Sequence, residues 1–353
     1  MIIVLWKCQY YKESEKMSIN IDNIIKKISN TVATHKLEKE GEYARWLWQN
    51  EEGTRKLGLS AYGCADAVNI MYTIGEFPNT SERREKFINA LQSLQNPETG
   101  LFCEGTHHFI HTTAHCIAAL ELFDAKPKYP LTALKQYMTK EGLYDLLDNL
   151  EWITNPWDGS HKGAGIYASL MLSGSVDSEW QDAYFEWLWE NADPETGFYG
   201  KKWIKDCTAP PFYNVGATFH YLFNVEHKHM PLRYPEKLID SCLKLYENQD
   251  ECTKGAIAPT NIGFSVADWI YCLTRASRQT AHRFEEIRKV LCEFAEKHIA
   301  FLNDVDEKTH DKFNDIHALF GCVCGLAELQ QALPGFIKST KSLKLVLDRR
   351  PFI

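Results

Sequence analysis

The sequence predicts an all-α protein folded as an (α/α)6 toroid, a barrel of six helical hairpins with an inner ring of apolar helices and an outer ring of amphipathic helices. One unit recurs six times in degenerate form, each time as an amphipathic helix, a break rich in Gly, Pro, Asn and Asp, a polar loop and an apolar helix. The apolar helices have almost no polar face, so other helices must surround them. Six such helices are buried together in a ring with the amphipathic helices outside. No alternating strand pattern competes with this prediction.

The second copy of the unit is the clearest. Its amphipathic helix, predicted at 84–95, is stopped by an Asn-Pro pair, and its apolar helix is predicted at 111–123, after a loop that holds several histidines. In the first copy the amphipathic helix is predicted to end at 46–49, and the apolar helix spans 60–75. Both apolar helices are rich in alanine, as close packing between neighbouring helices requires.

The third copy places its amphipathic helix at 143–152 and its apolar helix at 161–172, with an Asn-Pro-Trp-Asp-Gly break between them. The fourth has its helices at 180–190 and 215–224. A Pro-Glu-Thr-Gly turn follows the amphipathic helix in both the second and the fourth copies. Proline starts such a turn and glycine supplies the positive φ, so we expect the turns to be structural.

The fifth and sixth copies complete the series. Their amphipathic helices are predicted at 236–248 and 283–301, and their apolar helices at 261–276 and 315–333. The final stretch, residues 339–353, contains several leucines and a valine. We expect it to dock on the outside of the ring.

Composition and charge exclude several classes of partner. Hydrophobic residues make up 44% of the chain and charged residues 24%, as in a soluble globular protein. A net charge of −8 and the lack of any run of five basic residues argue against nucleic acid as a partner. No stretch approaches the roughly 20 apolar residues of a membrane span. The apolar run from Ile2 to Trp6 is too short for the core of a signal peptide.

Cysteine usage predicts the compartment. The chain has eleven cysteines without CxxC pairs, and several of them fall inside apolar helices. Buried free thiols in a reducing compartment explain this pattern better than disulfides do, so we expect a cytoplasmic protein. Residues 1–16 are predicted to be an N-terminal tail, and residues 17–353 a single toroid domain.

One motif carries a resemblance to a known family. It reads Leu-x-x-Leu-Gln-Asn-Pro-x-x-Gly-Leu-Phe, then a loop with histidines, then Thr-Ala-x-x-x-Ala-Ala-Leu; it is clearest at 91–122 and recognisable at 187–223. This pattern resembles the repeat of protein prenyltransferase β subunits and squalene-type terpene cyclases. The resemblance implies an α/α toroid in which the N-terminal ends of the inner helices open onto a central cavity. It bears on the fold more than on the chemistry.

The catalytic motifs of those families are matched only in part. Prenyltransferases hold zinc with an Asp-x-Cys pair and a later histidine, and His317 matches the position of that histidine. The plausible Asp-x-Cys, formed by Asp240 and Cys242, lies on a predicted outer helix, away from the cavity. The Asp-x-Asp-Asp motif of the cyclases does not occur. The sequence therefore predicts no cofactor and no metal, with zinc as the less favoured alternative.

Polar side chains near the N-terminal ends of the apolar helices are the predicted lining of the cavity, and seven of the thirteen histidines fall there. The predicted substrate-binding residues are Tyr62, Asn69, His107, His108, Trp157, His161, Asn224, Asp315 and His317. The predicted catalytic residues are His111, His115, His220, Asp66, Asp268 and Tyr213. Among these, the histidines would act as acid or base, the tyrosine as proton donor and an aspartate as the paired carboxylate.

Structural roles remain open for each of these residues. His111 and His115 are four residues apart and share a helix face, so both would reach one ligand or one metal. No third ligand stands at a diagnostic spacing, and a histidine in such a place is often a satisfied core residue. Asp315 precedes an apolar helix and is as well suited to capping it as to binding substrate.

The residue types favour an enzyme that acts on a carbohydrate or a similarly polar substrate by general acid/base chemistry, as a hydrolase, lyase or epimerase. One alternative is an isoprenoid-related transferase or cyclase, as in the family that the repeat resembles. Another is a toroid that binds a ligand or a protein without catalysis. Polar cavity walls with paired carboxylates would favour the first function, an aromatic sleeve the second, and a filled centre the third.

Overall fold

The computed structural model describes residues 18–248 and 251–353, and in these residues the chain is all-helical apart from one two-stranded sheet. The sheet pairs β1 (Ile19–Asn20) in parallel with β2 (Ile337–Lys338), with Ile19 opposite Ile337. It therefore joins the start of the described chain to a segment near its C-terminal end. The tail expected at 1–16 lies outside the described residues.

The helices follow one another with short breaks. In chain order they are α1 (Asp22–His35), α2 (Ala61–Thr73), α3 (Ser81–Ser93), α4 (Phe109–Glu121), α5 (Lys140–Asp148), α6 (Pro156–Ser173), α7 (Ser178–Asn191), α8 (Phe212–His227), α9 (Pro235–Glu247), α10 (Glu251–Ala256), α11 (Phe264–Ser277), α12 (Phe284–Asp304), α13 (Asp311–Asn314), α14 (Ile316–Ala332) and α15 (Val346–Arg349).

Six of these helices, α2, α4, α6, α8, α11 and α14, are buried along most of their length. Each of the six packs against the next one along the chain, and α14 packs against α2, so that their contacts close into a cycle. The helices between them, such as α5 and α9, bury one stripe and expose the rest. This arrangement follows from the sequence, because a helix without a polar face must be covered on every side.

The apolar helices lie where the sequence predicts them, but their first residues differ. Helix α6 begins at Pro156 rather than at 161, because Asn155 caps it through its side chain and proline fits the first helical position. Helix α11 begins at Phe264 rather than at 261, because Gly263, with φ of 144°, breaks the chain immediately before it.

Glycine is required in the two Pro-Glu-Thr-Gly turns. Gly100 and Gly197 have φ angles of 74° and 76°, which confirms the positive φ expected from the sequence. A Cβ atom at Gly100 would lie 2.0 Å from the carbonyl oxygen of Pro130. The turns are therefore held against the neighbouring chain, in addition to needing the left-handed conformation.

The prediction of an amphipathic helix that ends at 46–49 is wrong. Helix α1 ends at His35, and the chain from there to Ser60 is not helical. The Asn314 side chain satisfies the backbone of this stretch: its Oδ1 accepts from the N–H groups of Leu47 and Trp48 at 2.7 and 2.9 Å. Apolar periodicity could not reveal this, because the partner lies far away in the sequence.

The prediction that residues 339–353 dock on the outside is also wrong for the last four residues. Arg350 and Phe352 have no solvent exposure. The ring of Phe352 lies 5.0 Å from that of His111 on α4 and 5.3 Å from that of Phe223 on α8. A Cβ atom on Gly165 of α6 would lie 3.3 Å from Phe352 Cζ. Three buried helices therefore surround this ring, which fills space among the apolar helices.

Hydrogen bonds show how this segment enters. Lys344 N donates to the carbonyl oxygen of Thr73, the last residue of α2, and Arg349 donates to that of Glu121, the last residue of α4. Further along, Asn224 Nδ2 donates to the Pro351 carbonyl oxygen at 2.7 Å. The segment thus passes the C-terminal ends of the buried helices and then turns inward.

Candidate functional site

Polar side chains from five buried helices meet near the helices' N-terminal ends. Helices α2, α4, α6, α8 and α14 each contribute at least one, and His107 joins them from the loop before α4. Side chains cap several of these helices: Ser60 accepts from Gly63 N, and Asp315 accepts from His317 N. The caps end the polar loops at the point where the buried helices begin, which places the polar residues of the first turns in the interior.

Asp66 is the centre of the first cluster. Its Oδ1 atom lies 2.8 Å from His115 Nε2, and both of its oxygens lie 3.2 Å from His317 Nδ1. Asp66 and His115 are fully buried, and His317 keeps 9% of its side chain exposed. A buried carboxylate with two imidazole N–H donors is well satisfied. We call Asp66, His115 and His317 the aspartate cluster.

Opposing effects set the charges in the aspartate cluster. Burial alone would raise the pKa of Asp66, but the charges and hydrogen bonds of His317 and His115 hold it below its ordinary value. Burial lowers the pKa of His115 to about 4, in spite of the nearby carboxylate. Near neutral pH, Asp66 is therefore ionised, and His115 is a neutral imidazole that donates Nε2–H to it.

His111, His161 and His220 form the second cluster, which we call the histidine cluster. They come from α4, α6 and α8, and one ring nitrogen from each lies within 4.8 Å of those from the other two. Burial lowers the pKa of all three, and the charge that a neighbouring histidine would carry lowers the pKa of His111 and His220 further. The three rings are therefore neutral near pH 7.

Tyr62 connects the two clusters. Its hydroxyl lies 2.5 Å from His111 Nδ1 of the histidine cluster. Its ring stacks on His115 at 4.9 Å and meets the edge of His317 at 4.6 Å in the aspartate cluster. The His107 ring stacks on two of these rings, with centroid distances of 4.8 Å to Tyr62 and 4.9 Å to His111. Six histidines, one tyrosine and one aspartate therefore form a continuous array.

Two residues that sequence reasoning missed lie beside the array. The Arg45 guanidinium lies 4.9 Å from the Tyr62 ring centre, bonds Asp315 at 3.0 Å and approaches Glu104 at 3.5 Å. Burial raises the pKa of Glu104, although Arg45 acts against this. Glu104 lies in the histidine-rich loop before α4, so its place in the sequence is a signal that it belongs to the site. Arg45 lies in a stretch that was expected to be helical, which concealed it.

The sequence-predicted site residues divide into two sets. The structure brings eight of them together in the array, namely Tyr62, Asp66, His107, His111, His115, His161, His220 and His317. The other seven have different surroundings or partners, and these are Asn69, His108, Trp157, Tyr213, Asn224, Asp268 and Asp315.

Three residues of the second set have structural hydrogen-bond or ion-pair partners. Asp315 caps α14 and pairs with Arg45, and His108 caps α4 by accepting from Ile110 N. Asn224 bonds Tyr184 and Pro351. These residues hold the frame of the site and the inward-turning C-terminal segment.

The remaining four are two aromatic residues that pack against each other and two buried polar residues without hydrogen-bond partners among the described residues. Trp157 and Tyr213 meet edge to face at 5.6 Å. Asn69 and Asp268 are fully buried, and their side-chain polar atoms have no hydrogen-bond partner among the described residues. Burial raises the pKa of Asp268 well above its ordinary value, which favours the neutral carboxyl and makes it a poor partner for a charged base.

Comparison of the chain with protein-family models, with curated protein sequences and with solved structures found no match. The resemblance of its repeat to prenyltransferases and cyclases therefore stays a prediction. Among the described helices, none is long and apolar enough to cross a membrane.

Proposed function

We propose that the chain is an enzyme that acts on a carbohydrate or a similarly polar small substrate by general acid/base chemistry at the array. We further propose that the closed cycle of buried helices is the inner ring of an (α/α)6 toroid, with its N-terminal end as the entrance. The proposal rests chiefly on the contact between Asp66 and His317, because a carboxylate that holds one ring nitrogen of an imidazole leaves the other free to act as a base.

His317 is the base in this proposal. Its Nδ1 atom faces Asp66, and its Nε2 atom has no hydrogen-bond partner among the described residues. The side chain keeps 9% exposure, whereas Asp66 has none. Asp66 would fix the tautomer with the proton on Nδ1 and would stabilise the imidazolium that forms when Nε2 takes a proton from substrate.

Tyr62 is the proposed acid. Burial raises the pKa of its phenol well above the ordinary value, so the group keeps its proton near neutral pH. Its hydroxyl meets His111 Nδ1, and its ring touches His317. A phenol that keeps its proton, on a ring in contact with the base, suits donation to a leaving group or to an oxygen that gains charge.

The polarity of the array favours this function over an isoprenoid enzyme. Arg45, Glu104 and six imidazoles lie together near the N-terminal ends of the buried helices, where the alternative would need an apolar sleeve that shields a carbocation or a prenyl chain. The Phe352 ring fills space among the same helices, an observation that favours the second candidate, a toroid that binds a ligand without turning it over. The two candidates differ in whether the bound molecule is changed.

Asp66→Asn is the test that separates them. The purified protein is incubated with libraries of glycans and polar metabolites, and depletion is followed by mass spectrometry. For any compound consumed, we expect this variant to lower kcat by about 10³- to 10⁴-fold, since the amide favours the wrong tautomer of the base. The exposed Asp182→Asn serves as the matched control. A compound that is bound but unchanged, or one that Asp66→Asn consumes as fast as the parent protein, would contradict the enzyme proposal.

A further inference from the structure

The structure assigns a metal site to the histidine cluster: we propose that His111, His161 and His220 bind one divalent transition-metal ion, for which zinc is the best fit. This inference does not depend on the proposed function, because metal binding is measured without turnover. The sequence predicted no metal, and its alternative zinc site joined His111 to His115. The structure separates these two residues, since His111 belongs to the histidine cluster and His115 bonds Asp66.

Convergence is the first argument. The three imidazoles come from three helices, and one nitrogen of each lies within 4.8 Å of the other two. A zinc ion with bonds of about 2.0–2.1 Å to nitrogen holds its ligand atoms roughly 3.4 Å apart in tetrahedral geometry. Each pair of nitrogens would have to approach by at most about 1.4 Å to reach that spacing. Three protein ligands leave a fourth position for water or substrate, as in catalytic zinc sites.

The outward-facing nitrogens give the second argument. His111 Nδ1 meets the Tyr62 hydroxyl at 2.5 Å, and His220 Nδ1 meets the Ser160 hydroxyl at 2.9 Å. His161 Nδ1 faces Asp158 at 3.6 Å, beyond hydrogen-bond distance but close enough for attraction. Metal-binding histidines use their second ring nitrogen as His111 and His220 do, which fixes the tautomer and orients the ring. His161 Nδ1 has no hydrogen-bond partner among the described residues, so its ring is oriented only by attraction to Asp158.

The Nε2 atoms of the three rings have no hydrogen-bond partner among the described residues. If Nδ1 carries the proton, each Nε2 presents a lone pair, and a buried acceptor without a donor is costly. One nitrogen of each ring lies within 4.8 Å of those of the other two, so lone pairs on these nitrogens would share one cation or proton donor. Burial also keeps the rings neutral by lowering their pKa, which is the form that binds metal.

The aspartate cluster has the same number of potential ligands but a weaker case. Its carboxylate already accepts hydrogen bonds from both imidazoles, so all three of its ligand groups are engaged with one another. Binding a metal there would first require breaking those bonds. At the histidine cluster, ligation by imidazoles alone suits zinc, copper, iron and nickel. Zinc is the best fit among these metals because it imposes no geometry of its own.

The test is a zinc titration of chelator-treated protein against a chromophoric competitor, with cobalt(II) as the spectroscopic probe of tetrahedral nitrogen ligation. We expect one equivalent of zinc in the parent protein and a loss of affinity of more than 100-fold in His161→Ala. This ring keeps 15% of its side chain exposed, so its removal is the least disruptive to the fold. Ser160→Ala, which removes the hydroxyl partner of His220 and the bond of that hydroxyl to the Trp157 carbonyl oxygen, should weaken binding by about 10- to 100-fold.

His317→Ala and His115→Ala are the matched controls, and each should keep its zinc within a few-fold of the parent affinity. Circular dichroism and thermal melting establish that every variant is folded, and His161→Asn replaces His161→Ala if the latter is not. Failure of the folded parent protein to bind zinc or cobalt would overturn the proposal. So would binding that survives loss of His161 but is abolished in His317→Ala, because the metal would then belong to the aspartate cluster.

Discussion

Phe352→Ala is expected to lower the free energy of unfolding by about 3–5 kcal/mol, the range for removing a fully buried aromatic ring from a packed interior. The ring contacts α4 and α8 through His111 and Phe223 and lies close to Gly165 of α6. Its loss would leave a cavity among these helices. The helices cannot close that cavity without disturbing their packing against one another. Urea denaturation measures the change as a lower midpoint at constant slope.

The control for this prediction is Phe284→Ala, because the Phe284 side chain starts α12 and is 51% exposed. We expect that substitution to change stability by about 0.5 kcal/mol or less. If the two variants lose the same stability, the segment after Arg349 does not enter the interior, and the packing described for the C-terminal residues is wrong.

Arg275→Met is expected to cost about 3–5 kcal/mol, because it removes the closest cation from the buried Glu328 carboxylate and leaves only Arg278, 3.7 Å away, as a charged partner. Arg275 is 1% exposed and Glu328 is 3% exposed, and the guanidinium bonds that carboxylate through both Nε and Nη2. It also binds Asp348, just before the chain turns inward. This one side chain therefore joins α11, α14 and the C-terminal segment.

The double variant Arg275→Met with Glu328→Met gives the prediction its control. Replacing a buried ion pair by apolar side chains of similar volume is often nearly neutral, so we expect the second substitution to restore most of the lost stability. Denaturation midpoints of the two single variants and the double variant complete the cycle. Additive losses would show that Glu328 is not a buried partner of Arg275.

Periodicity and turn residues were enough to locate the buried helices. Alanine-rich stretches without a polar face, bounded by glycine, proline and asparagine, predicted all six, and the histidines at their N-terminal ends predicted most of the array. Sequence spacing could not show which histidines meet. His111 and His115 share a face of α4, yet they reach different neighbours, because His161 of α6 and His220 of α8 approach His111 and Asp66 of α2 approaches His115.

Long-range side-chain partners account for the other differences. Asn314 holds the backbone at Leu47 and Trp48, across more than two hundred residues, and so removes the need for a helix there. Arg275 and Asn224 direct the last residues inward, although their apolar pattern suits a surface helix equally well. These bonds join residues that are remote in sequence, and no local pattern encodes them.

The pH dependence of His115 follows from its burial. Its pKa is about 4 in the folded chain, below the ordinary value of 6.5. Between pH 4 and 6.5 this imidazole is therefore mostly protonated in the unfolded chain and mostly neutral in the folded chain. Its contribution to stability is therefore complete above about pH 6.5 and is lost as the pH falls toward 4. The loss amounts to roughly 1.4 kcal/mol for each pH unit in that window.

Nitrogen-15 NMR of the imidazole rings of chelator-treated protein tests the inward-facing array most directly. His115→Gln assigns the signal by removing it. We predict that the His115 ring stays neutral from pH 7.5 to 5, with its proton on Nε2, because that nitrogen donates to Asp66. A ring that titrates near pH 6.5 and exchanges between tautomers, as a histidine in a short peptide does, would show that this face of α4 is open to solvent and would contradict the account.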